Sequence, residues 1–247
     1  MTKLESVSWT RLKVLQLHCL FQNLNCRIPI RFITIGLKSK MTDERILTLD
    51  LSSKTGWSSM ISTDNGIILE AYGIVPQIHE PEGIYPINYL EWVDLCFAHI
   101  VELIDTHTPA VLVIEETVAG SKAVYSQKFL EWLHYKLAKL IKETNIKAIY
   151  LLTGAWRSEV GAKMTKEESK HNKYVREYKK MHDTQIAKHS EGKRIGRLTK
   201  KHINVRRANE VFGEFLKAPL RKKDEDTADA LLLGFCYHLR RLKNEQR

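Results

Sequence analysis

Arg45-Ile-Leu-Thr-Leu-Asp50-Leu-Ser-Ser-Lys-Thr-Gly-Trp57 is the stretch whose reading decides the fold. Residues 46–51 read as a buried strand with one carboxylate in it, since Asp50 stands among Leu47, Leu49 and Leu51. A charge in such a place either shifts its pKa or finds a cation. A tight polar turn, Ser52 to Gly56, follows directly, and 57–62 read as a second strand. Two readings of Asp50 stay open on this stretch alone. It caps its own turn, or it is a metal ligand presented at a strand end.

Downstream, 66–75 form a third strand, joined to the second through Asp64-Asn65-Gly66 as a hairpin. Residues 76–88 hold Pro76, Pro81, Gly83 and Pro86 and read as a loop. A helix over 88–106 is expected from Leu90, Val93, Phe97, Ile100, Val101 and Ile104 at three- and four-residue steps. The fourth strand, 111–116, begins with four apolar residues, as a central parallel strand does, and ends in a carboxylate, Glu115. A second helix over 124–143 carries Phe129, Leu130, Leu133, Leu137, Leu140 and Ile141 on one face. Trp132 and Tyr135 lie off that stripe, as surface aromatics or as a contact with a partner helix. A fifth strand spans 147–152.

The chain has 247 residues, enough for one domain with a sizeable core. Its net charge of +10 points to a polyanion partner, nucleic acid before anionic membrane. Cys19, Cys26, Cys96 and Cys236 make no CxxC pair, which argues against a zinc site or a disulfide framework and suits a reducing compartment. No apolar run approaches the roughly 18–20 residues of a membrane span. Residues 1–40 stand apart, with Glu5 alone against seven Lys and Arg. They are expected to be an N-terminal extension outside the core, with Met41 the functional start and 41–247 the domain.

The positive charge is concentrated. Residues 157–223 hold 20 Lys and Arg against 8 Asp and Glu, a net of +12, so the remainder stands at −2. The first half of this block, to about 197, reads as exposed helix and loop. Its Tyr174 and Tyr178 are four apart and able to stack on bases, although a solvated charged face is the plainer reading. Residues 200–213 read as a short packed helix through Ile203, Ala208, Val211 and Phe212, with Lys200, Lys201, Arg206 and Arg207 available to phosphates. A closing helix follows, with Leu231, Leu232, Phe235, Leu239 and Leu242 as its apolar stripe. Acidic residues at a helix start suit the macrodipole. That accounts for Asp224 and Glu225 better than for Asp229, which adjoins the buried stripe. Asp226 and Asp229 are three apart, on one face.

Four carboxylates therefore stand out: Asp50, Glu115, Asp226 and Asp229. The strands of Asp50 and Glu115 become neighbours if the first and fourth pair in parallel. Carboxylates with no His or Cys companion suit Mg²⁺, or Mn²⁺ in its place, rather than Zn²⁺. Two such ions about 3.5–4 Å apart can clamp an in-line phosphoryl displacement. An acidic metal pocket beside a basic surface reads as a nuclease.

These motifs resemble the RuvC family of Holliday junction resolvases, above all its divergent phage-type members. In that family an Asp ends the first strand in a pattern like Ile-x-Gly-Ile-Asp-x-Gly-Ser-x-x-Thr-Gly, matched here by Ile46 to Gly56. Its Ala-Ile-Glu resembles Val113-Ile-Glu115, and its closing Asp-Ala-Ala-Asp-Ala-Leu resembles Asp226-Thr-Ala-Asp229-Ala-Leu231. The phage-type Trp, basic residue and Gly resembles Trp156-Arg-Ser-Glu-Val-Gly161. Lys200-Lys201 through Phe212-Gly213 is similar to a further family pattern. The resemblance covers about 45–245.

The resemblance implies an α/β RNase H-like fold: a mixed five-stranded sheet, its first three strands antiparallel, flanked by helices. It implies a Mg²⁺-dependent endonuclease that resolves branched DNA in recombination and repair, in the cytoplasm of a bacterial or phage-infected cell. Asp50, Glu115, Asp226 and Asp229 would hold two ions, with Lys200 or Lys201 stabilising transition-state charge. Lys54, Lys122, Arg157, Lys163, Lys200, Lys201, Arg206 and Arg207 are the expected DNA contacts. Paired cuts imply a homodimer, with the second helix as its candidate interface.

The chain also departs from the family. Ser52 stands where Gly is usual, and Val118 to Lys122 lacks the aromatic with which cellular members probe the junction. The basic insertion, about 157–200, is longer than in cellular members. Three rivals remain: a nuclease of flaps, forks or duplex, an actin-like ATPase, and a non-catalytic nucleic-acid binder. The ATPase fold needs a duplicated core and a second glycine-rich phosphate loop, which this chain lacks. All four acids weigh against the binder.

Overall fold

The computed structural model describes residues 43–116, 124–182, 187–188 and 194–245. The expectations for 1–40 and for Val118 to Lys122 fall outside these residues. Five strands form one sheet in the order β3-β2-β1-β4-β5: β1 (Glu44–Asp50), β2 (Gly56–Thr63), β3 (Gly66–Ile74), β4 (Val111–Glu116) and β5 (Lys147–Leu152). The first three are antiparallel, and β1 pairs β4, and β4 pairs β5, in parallel. The mixed sheet read from the motifs is therefore the observed one.

Helices cover both faces. On one lie α1 (Ile87–His107) and α2 (Val124–Thr144), packed on Leu47, Leu49, Leu112 and Ile114. On the other, α3 (Thr153–Glu159), α5 (Lys200–Phe212) and α6 (Glu225–Glu245) pack on Ile46, Val111 and Val113. Successive strand side chains alternate between faces. That is why β4 is apolar without a break: Val111 and Val113 serve one core, Leu112 and Ile114 the other. The same alternation puts Asp50 on the face of Ile46 and Thr48, and Glu115 on the face of Val111 and Val113. Leu49 pairs with Ile114 in the parallel register, so the next step brings Asp50 beside Glu115.

Helix α6 is seated by polar as well as apolar contacts. The Thr48 hydroxyl donates to the Ala230 carbonyl at 2.8 Å, and Ser62 Oγ meets His238 Nδ1 at 2.9 Å. Its first turn lies against Gly56, where an added Cβ would sit 2.1 Å from the Asp226 carbonyl oxygen. The glycine of the Thr55-Gly56 pair is thus fixed by a helix backbone. Within the turn, Thr55 Oγ1 donates to the Ser52 carbonyl and Ser52 Oγ accepts from the Lys54 amide, which closes it on itself.

Two side chains differ from the periodicity reading. Tyr89 is buried and Leu90 is 44% exposed, so the inward stripe of α1 runs Tyr89, Val93, Cys96, Ile100, Ile104. Trp132 is half-buried, its ring 5.2 Å from that of Tyr89, whereas Tyr135 is 70% exposed. The intramolecular aromatic cluster takes up Trp132, so only Tyr135 of this pair remains for a partner.

The first half of the basic block holds a mostly exposed helix, as expected, and polar contacts anchor it to the rest of the fold. Its helix α4 (Lys166–Met181) starts at a capping box of Thr165 and Glu168. Asn172 bonds the backbone of Leu198 in both directions, at 2.9 and 2.7 Å, and Arg206 of α5 reaches Glu168 at 2.8 Å. A short ribbon, β6 (Ala187–Lys188) with β7 (Arg194–Ile195), lies between them in sequence. Among the described residues no helix is long and apolar enough to cross a membrane.

Candidate metal centre

Three elements end at one point. Asp50 closes β1, Glu115 lies at the end of β4, and Asp229 lies in the second turn of α6. Each offers a carboxylate oxygen within 4.8 Å of the others. The second strand and Gly56 fix α6 so that Asp229 faces the two strand ends. Asp229 is only 7% exposed.

The three acids disturb one another. Burial raises the Asp50 carboxyl well above its usual range, and the charges of Asp229 and Glu115 raise it further. The nearby Glu115 carboxyl and the charge of Asp226 push it the same way. Burial pushes Asp229 up to about 6, against the opposing pull of Arg157 and a hydrogen bond from Asn204. Asp226 lies in the first turn of α6 and outside the close trio. Burial raises its carboxyl too, opposed by Lys201 and Lys54.

Neutral donors and one cation hold the trio in place. Trp156 Nε1 donates to Glu115 Oε1 at 3.1 Å. The next residue, Arg157, donates from Nη2 to Asp229 Oδ2 at 3.1 Å, and its guanidinium lies 4.9 Å from the Trp156 ring centre. Asn204 Nδ2 donates to Asp229 Oδ1 at 2.7 Å. Beside the acids is a cavity of about 190 Å³ lined by Asp50, Leu51, Glu115, Glu116, Leu130, His134 and Thr153.

These residues fit a hard divalent cation. The donors are all carboxylate oxygens. Their crowding within 4.8 Å, which together with burial raises the Asp50 carboxyl, marks a place where positive charge is wanted. Asp50, Glu115 and Asp229 are the candidate ligands that the structure brings together, with Asp226 one turn away.

The expected DNA contacts divide sharply. Lys163 and Lys200 are exposed, and Lys54 lies in the turn near Asp226. Lys201 pairs with Glu225 and stands in the field of Asp226 and Asp229. Arg157 is 20% exposed and committed to Asp229. Arg206 is held by Glu168 and Glu210, and Arg207 by Glu210 and the Val160 carbonyl. These three guanidiniums serve the fold's own acids, because they project from packed helices. Lys122 lies outside the described residues. Tyr174 and Tyr178 lie side by side, ring centres 6.0 Å apart, and Tyr178 also meets His182 at 4.3 Å.

Sequence reasoning missed Asn204 and placed Arg157 on the surface. The available signal for Asn204 was an amide beside Ile203 on the packed face of a short helix, where an apolar residue is the rule.

The architecture is an RNase H-like fold of the RuvC kind. The sequence matches no protein-family model, and no curated protein matches it. Among solved structures it is similar to RuvC of T. thermophilus in complex with a Holliday junction substrate, with TM-score 0.52 and 12% identity over 80% of this chain and 96% of that one. The Thermus thermophilus RuvC structure gives 0.52 and 13%, over 81% and 96%. The yeast mitochondrial Holliday junction resolvase Ydc2 gives 0.42 and 16%, over 81% and 84%. What the RuvC structures share with this chain is the fold.

Proposed function

We propose that the chain is a divalent-cation-dependent endodeoxyribonuclease that cuts branched DNA, four-way junctions above all. The observation that carries this reading is the convergence of Asp50, Glu115 and Asp229 within 4.8 Å at the ends of two paired strands and a helix. It joins a basic segment over 157–223, a fold like that of junction-bound RuvC, and motifs that resemble that family.

Asp50, Glu115 and Asp229 would hold Mg²⁺, with Mn²⁺ able to substitute, and Asp226 would join them for a second ion. Ions held there supply activation of water for in-line attack on a phosphodiester and stabilisation of the leaving oxygen. The protein's own part is orientation. Trp156 fixes Glu115, while Arg157 and Asn204 fix Asp229. Lys201 is better placed than Lys200 to meet charge building on the phosphate, since it faces the acids through Glu225. Lys54, Lys122, Lys163 and Lys200 are proposed to grip the DNA backbone. Such contacts make binding fall with salt.

Resolution of a junction takes two cuts related by symmetry. A homodimer is therefore part of this reading, with the outer face of α2, where Tyr135 is exposed, as its interface. The proposed setting is the cytoplasm of a bacterial or phage-infected cell, in recombination and repair. Residues 1–40 are proposed to lie outside the catalytic unit.

A gel assay compares four-way junction, flap, fork and linear duplex, each with Mg²⁺ or with EDTA. The expected outcome is Mg²⁺-dependent cleavage strongest on the junction. Stronger cleavage of flaps would favour a broader flap or fork nuclease, and binding without any cleavage would favour a non-catalytic binder.

A further inference from the structure

Arg157 is an unusual neighbour for a metal ligand. Its Nη2 bonds Asp229 Oδ2 at 3.1 Å, the same carboxylate that the site needs for a cation. Among the described residues its buried Nε has no hydrogen-bond partner. A guanidinium placed only for structure normally has its buried donors satisfied. Its neighbour Trp156 grips Glu115 at 3.1 Å, so two consecutive residues of α3 address two of the three acids. Asn204 already orients the other oxygen of Asp229 without any charge. What Arg157 adds beyond Asn204 is one fixed positive charge.

That charge changes the electrostatic balance. With Asp50, Glu115, Asp226 and Asp229 ionised the acids carry −4, and Arg157 brings the site to −3. One divalent ion leaves −1, so a second is held only weakly until the phosphates of DNA arrive.

We propose that Arg157 is a built-in counter-cation that weakens cation binding in the DNA-free protein, a positioning residue that makes full metal loading depend on substrate. The proposal rests on the metal-dependent nuclease reading.

The test is Mn²⁺ binding to the full-length, DNA-free protein, by titration calorimetry. Arg157→Gln and Arg157→Met remove the charge, Met keeping a stem to lie against Trp156. Both are expected to bind Mn²⁺ at least about tenfold more tightly than wild type, because a unit charge so close to a buried site is weakly screened. Arg157→Lys keeps the charge and is expected to bind as wild type does. A purely structural Arg157 predicts the reverse, since a loosened Asp229 weakens Mn²⁺ binding in the neutral variants. Neutral variants that bind no tighter than wild type overturn the proposal. Thermal melting gives a second readout. Mn²⁺ should raise the melting temperature of Arg157→Met more than that of wild type, and a smaller rise also overturns it. A wild-type protein that binds no Mn²⁺ at millimolar concentration overturns the metal-dependent reading itself.

Discussion

Asp229 answers to two partners at once. Burial favours its protonated form and pushes its pKa up to about 6, while Arg157 and Asn204 favour the anion. A raised carboxyl pKa means that the native state holds a proton that the unfolded chain releases. Metal-free stability therefore loses this contribution as pH climbs from the ordinary carboxylate range to about 6, and it stays lost above. At neutral pH the cost is on the order of 2–3 kcal/mol. Asp229→Asn removes this dependence. In EDTA, the melting temperature of the variant relative to wild type should be several degrees higher at pH 7.5 than at pH 5. An offset that does not change with pH contradicts the assignment. Asp50, Glu115 and Asp229 were legible in the sequence because acids at the ends of apolar strands, or against an apolar helix stripe, cannot be ordinary surface charges. Asp226 looked equivalent to Asp229 by spacing, but one turn of helix leaves it nearer Lys201 and Lys54. A charge count reads Arg157 as a DNA contact and does not show that its guanidinium points to Asp229.

At the level of elements, the site depends on how closely α6 approaches the β1–β2 turn. Gly56→Ala would place a Cβ 2.1 Å from the Asp226 carbonyl, and both partners are backbone. It is expected to destabilise the protein by about 2 kcal/mol or more in urea unfolding and to weaken Mn²⁺ binding by displacing Asp229. A neutral effect on both would show that the helix seat matters little. The strands were legible because their apolar runs and turn residues are short and unambiguous. The phase of α1 was not: Tyr89 and Leu90 are both apolar enough to face inward, and the aromatic cluster with Trp132 chose Tyr89. The anchoring of the basic block was hidden as well. Its anchors are polar, Asn172 to Leu198 and Arg206 to Glu168, and hydrophobic periodicity does not register them.

At the scale of the molecule, the proposed homodimer predicts a solution mass twice the 28.7 kDa of the chain. Tyr135→Arg should return it to the monomer in light scattering, and a monomeric wild type contradicts the two-cut scheme. The central claim is narrower: the acids cut DNA, and the basic segment holds it. The direct test incubates an end-labelled four-way junction with wild type and with Asp50→Asn, and runs a parallel gel-shift in EDTA. Metal chemistry contributes several kcal/mol to such a reaction, so loss of a central ligand should slow cleavage by about a thousandfold or more. The account predicts that wild type with Mg²⁺ yields nicked duplexes, and that Asp50→Asn yields none yet shifts the junction within a few-fold of wild type. An Asp50→Asn protein that cuts as well as wild type, or a wild type that leaves the junction intact with Mg²⁺, would contradict it.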